Sequence, residues 1–130
     1  MPRETLSTEG IESQRRYFGR RLVQLRETFS QRTAKNGASG VLLRAEPTAK
    51  AMVECLNAYG YSISPATYSE IENGQVLPRD GAAFVDAIAK CLVITEPEKK
   101  ELIQRLAYDI LYSRLGSDAN KVINPARWGD

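Results

Sequence analysis

The stretch Gly60-Tyr61-Ser62-Ile63-Ser64-Pro65-Ala66-Thr67-Tyr68-Ser69-Glu70-Ile71-Glu72-Asn73-Gly74 decides the fold. Gly60 suits the left-handed position just past a helix end. Ser64 is a strong N-cap residue, and Pro65 fits the first helical position, where a missing N–H costs nothing. Tyr68 and Ile71 lie three apart and can face inward, and Asn73-Gly74 stops the helix. A helix, a short turn containing glycine and a second helix of about ten residues make a helix-turn-helix layout. At 1.5 Å per residue the second helix is a rod of roughly 15 Å. Such a rod enters a DNA major groove, about 12 Å wide, when presented end-on. The unpaired N–H groups at its start favour phosphate.

Outward from this stretch the pattern stays helical. Phe18, Leu22, Leu25 and Phe29 recur at spacings of four, three and four, one apolar stripe of an amphipathic first helix. Arg15, Arg16, Arg20, Arg21 and Arg26 crowd its other faces. A second helix follows Pro47, with Ala49, Met52, Val53 and Leu56 inward. A fourth runs from about Asp80 to Leu92, with Phe84, Val85, Ile88 and Leu92 inward. Thr95-Glu96-Pro97-Glu98 matches a capping box and opens a long fifth helix ending near Leu115. No segment alternates as a strand does, so the expected fold is all-α with five helices.

This ordered set resembles the lambda-repressor-like and xenobiotic-response-element-like helix-turn-helix family of bacterial and phage transcriptional regulators. The carriers are Ser64 to Gly74, closing on Ile-Glu-Asn-Gly, with Gly19 to Glu27 upstream and Leu77-Pro78 and Ala87 to Leu92 downstream. The resemblance spans about Phe18 to Leu106. It implies a double-stranded DNA-binding regulator, most simply a repressor. Pro65, Ala66, Ser69 and Glu70 would then meet base edges, and Thr67 and Asn73 would sit at phosphate-contacting positions. Arg20, Arg21, Arg26, Ser64 and Gln75 would border the same surface. It further implies that Arg26 pairs with Glu72, tying the first helix to the recognition helix.

The segment between the first two helices is longer than the few residues usual there. Residues 30–47 carry Asn36-Gly37-Ala38-Ser39-Gly40, a turn signal, and the cations Arg32, Lys35 and Arg44. We read it as a basic loop that supplies DNA contacts. The domain itself is expected over residues 11–115, between an N-terminal arm at 1–10 and a C-terminal tail at 116–130. The fifth helix is apolar on more than one stripe, which points to a partner. Ile103, Ala107, Tyr108, Leu111, Tyr112 and Leu115 form the candidate homodimer interface. The alternative is a helix covered by its own tail, with Trp128 folded back.

Composition closes off several classes. A chain of 130 residues with 42% hydrophobic content supports one globular core. The net charge is +2, but residues 1–50 hold ten Lys/Arg against five Asp/Glu, a basic footprint suited to nucleic acid. No apolar run is long enough for a membrane span. Zero histidine removes Ser-His and Cys-His nucleophiles, and two cysteines cannot complete a metal tetrad. We therefore expect no enzyme, cofactor or metal. Cys55 and Cys91 read as small core thiols in a reducing cytoplasm, with a disulfide between them as the less favoured alternative. Two further functions fit the same fold. One is an antitoxin or mobile-element control protein that holds a protein partner through the C-terminal helix. The other is an interaction module without DNA binding.

Overall fold

The computed structural model describes residues 17–29 and 47–129. Among these the chain is all-helical. Helix α1 covers residues 17–27. It is followed by α2 (Ala49–Ala58), α3 (Pro65–Glu72), α4 (Gly81–Leu92) and α5 (Glu96–Leu115). Two 3₁₀ turns, Gly116–Lys121 and Pro125–Trp128, end the described chain. The arm 1–10 and loop residues 30–46, with Arg32, Lys35 and Arg44, lie outside the described residues. No described helix is long and apolar enough to cross a membrane.

Side chains set the helix starts. Thr48 and Ser64 accept N–H bonds from Ala51 and Thr67 at 3.1 and 3.2 Å. Asp80 accepts from Ala83 at 3.3 Å. Thr95 and Glu98 form the reciprocal capping box foreseen in the sequence. Helices α2 and α3 end alike. The N–H groups of Tyr61 and Gln75 bond back to Leu56 and Glu70, while those of Gly60 and Gly74 bond to Asn57 and Ile71. Both glycines carry positive φ, 91° and 76°, as this double closure requires.

One core joins all five helices. Phe18, Leu22, Leu25 and Phe29 are buried, as their spacing predicts, against Met52, Leu56, Ile88 and Leu92. Helix α1 also crosses the end of α3 at backbone range. A Cβ added to Gly19 would lie 2.5 Å from the Glu72 carbonyl oxygen and 2.6 Å from that of Ile71. Only glycine allows that approach without displacing backbone.

Two expectations are corrected here. Cys55 and Cys91 are not free thiols. They form a disulfide between α2 and α4, with Cα atoms 6.0 Å apart and both residues buried. Tyr108 is not part of an exposed interface. It is fully buried, because the tail folds back over α5. Trp128 packs against Tyr108 and Tyr17, at ring distances of 5.9 and 5.6 Å, and beneath the Arg105 guanidinium at 5.0 Å. The Tyr108 hydroxyl donates to Asn120 in the first 3₁₀ turn. The second apolar stripe of α5 is thus largely spent inside the same chain.

The disulfide closes a segment with a sequence separation of 36. Its reduction should lower the unfolding free energy by about 2–4 kcal/mol, measured by denaturant titration with and without reductant. An unchanged midpoint would show that the bond contributes nothing.

Candidate nucleic-acid interface

Helix α3 has a fixed inner face and an exposed outer one. Tyr68 and Ile71 are buried, and Glu72 is half-buried beside them. At 100° per residue the opposite ridge is Ala66, Glu70 and Asn73, all exposed. Ser64, Pro65, Thr67 and Gln75 are exposed around it, and Ser69 is half-buried at its edge.

What fixes the inner face is a polar cluster. The Arg26 guanidinium donates from Nε to Glu72 Oε2 at 2.8 Å and from Nη2 to Oε1 at 3.0 Å. Its Nη1 donates to the Pro47 carbonyl at 3.2 Å, just before α2. The Tyr68 hydroxyl donates to Glu72 Oε2 at 2.6 Å. The Arg26–Glu72 pair implied by the resemblance is therefore formed, bidentate, with the Glu72 side chain only 8% exposed. The hydrogen bond to Glu72 raises the Arg26 pKa. Burial, then the Glu72 charge, pushes the Tyr68 hydroxyl well above its ordinary value.

The first-helix arginines divide. Arg26 spends all three nitrogens inward, so it acts on the joint between α1 and α3 and leaves the groove-facing set. Arg21 leans toward α5, with Nε 3.4 Å from a Glu101 carboxylate oxygen. Arg20 stays beside α3. It packs over Tyr17 and lines a groove with Val23, Gln24 and Asn73.

Composition and spacing did not single out Arg79. It lines a cleft of about 280 Å³ with Ser62, Ser64, Thr67, Ile71 and Asp80, at the start of α3. The Tyr61 hydroxyl donates to its carbonyl and pins the loop there. Asn57 holds the preceding turn through the Ile63 N–H, at 3.1 Å. An arginine therefore stands at each end of α3. No sequence signal marks Arg79, because its place depends on how the 73–80 turn returns past Tyr61.

Of the proposed α5 surface, Ile103 (48% exposed) and Leu115 (50%) stay open, together with Ile110 (36%). Ala107, Leu111 and Tyr112 are half-buried. Among the described residues no cluster of His, Cys, Asp or Glu suits a metal ion. Comparison with protein-family models, with curated proteins and with solved structures finds no match.

The polar cluster makes two measurable demands. Arg26→Ala strands a largely buried carboxylate and should cost about 2–3 kcal/mol, the cost of breaking a buried pair reduced for partial exposure. Tyr68 holds its proton more tightly folded than unfolded. Its contribution is therefore complete below about pH 10 and drains away above it. Tyr68→Phe should cost about 1–2 kcal/mol at neutral pH and flatten the loss of stability above pH 10. An alkaline limb identical to wild type would contradict this assignment.

Proposed function

We propose that the chain is a sequence-specific double-stranded DNA-binding regulator that places α3 in the major groove. The observation that carries this is the division of α3. Its inner face is anchored by Tyr68, Ile71 and Glu72, while its outer ridge faces outward between Arg20 and Arg79. A helix of eight residues spans about 12 Å, close to the width of the groove. Arginines at its two ends suit phosphates on the two groove walls. Occupying an operator would act most simply as repression, by excluding polymerase.

Homodimerisation through α5 belongs to the same proposal. Ile103 and Ile110 are seven residues apart, two turns along one stripe, with Ala107 between them. A two-fold dimer would match an operator with half-sites about one helical turn apart.

Fluorescence anisotropy on a duplex, taken over a range of salt, tests the interface. Arg20→Ala and Arg79→Ala should each weaken binding about tenfold and reduce the salt slope by about one. Full affinity in both variants would remove α3 from the interface and favour an interaction module. Sedimentation equilibrium tests the dimer. Wild type should dimerise, and Ile103→Lys should leave a folded monomer. A wild-type monomer at tens of micromolar would contradict the α5 interface.

A further inference from the structure

Two glutamates lie two residues apart on α3, and the fold treats them oppositely. Glu72 is neutralised by Arg26 and bonded by Tyr68. Glu70 is exposed, and its carboxylate has no ion pair or hydrogen bond among the described residues. It occupies the middle of the outer ridge, with Ala66 one turn before it and Asn73 one turn after. Arg79 and Arg20 stand near the two ends of the helix.

A bare carboxylate on a groove-facing helix opposes phosphate, so it weakens binding to DNA in general. It is rewarded only where a base edge offers a donor. Guanine presents N7 and O6, both acceptors, and thymine presents O4 and a methyl group. Adenine offers an amino group, but its N7 lone pair lies beside it. Cytosine offers N4–H₂ with no acceptor of its own next to it in the groove. On the DNA-binding reading, the arginines at the ends of α3 would keep the helix attached through phosphate while its centre selects.

We propose that Glu70 is the specificity-determining residue of α3, accepting a hydrogen bond from the N4 amino group of one cytosine in each half-site. The inference rests on the DNA-binding reading above. It adds that the acidic character of this helix is the source of its selectivity. Guanine and thymine at that position are rejected by repulsion between acceptors, so discrimination comes from what the site excludes as well as from what it binds.

The test is selection from a random duplex pool with wild type, Glu70→Gln and Glu70→Ala, followed by titration of single duplexes. Glu70 is exposed, so both variants should keep the wild-type circular dichroism spectrum. Wild type should enrich one cytosine per half-site, and changing that C·G pair to T·A should weaken binding about 5- to 150-fold. Glu70→Gln should shift the preference at that position toward adenine. Glu70→Ala should lose the preference there while binding unrelated duplex more tightly than wild type. An unchanged cytosine preference in both variants, with DNA binding intact, overturns the role of Glu70 and leaves the regulator reading standing. No duplex retained by wild type at low salt overturns both.

Discussion

The structure depends on how one guanidinium is used. Arg26 directs two nitrogens at Glu72 and the third at the Pro47 carbonyl, so a single side chain on α1 holds the end of α3 and the entry to α2. The contact is charged, bidentate and largely shielded, the conditions under which an ion pair resists salt and sets geometry. Gly19 completes the joint. It lets α1 approach the carbonyls of Ile71 and Glu72 closely enough for Arg26 to reach. With Tyr68 bonded to the same carboxylate, α3 has little freedom to roll about its axis. Which residues it shows to a partner is therefore decided inside the protein.

That constraint gives the outer surface its charge pattern. One acidic residue of α3 is absorbed by the joint and the other is left outside. Positive charge then stands at the ends of the helix, while the centre is negative. In the proposed complex with DNA, the ends of α3 would attach through phosphate and its middle would discriminate. The disulfide and the folded-back tail brace other joints of the fold. Cys55–Cys91 ties α2 to α4, and Trp128 closes over Tyr17, Tyr108 and Arg105.

Much of the fold was legible in the sequence because local chemistry marks it. Ser64-Pro65, Asn73-Gly74 and the Thr95–Glu98 box state where helices begin and end, and the Phe18–Leu22–Leu25–Phe29 stripe identifies the buried face of α1. What could not be read depends on contacts between residues far apart in the chain. Two cysteines separated by 36 positions leave free thiols and a disulfide both open until α2 and α4 pack. Tyr108 lies on an apolar stripe that looks like an interface until Trp128 covers it. The Arg26–Glu72 pair was legible only through family resemblance, since a separation of 46 residues carries no local signal. Arg79 was missed for the same reason, being placed by Tyr61 rather than by its neighbours in sequence.

A backbone amide NMR titration of the whole chain with duplex DNA tests whether α3 is the binding surface. If α3 enters the groove, the shifts concentrate on Ser64 to Gln75, with Arg20 and Arg79, while Arg26 and the Ile103–Leu115 segment keep their free-state shifts. Shifts confined to α5, with α3 unmoved, would contradict this and place the binding surface on α5.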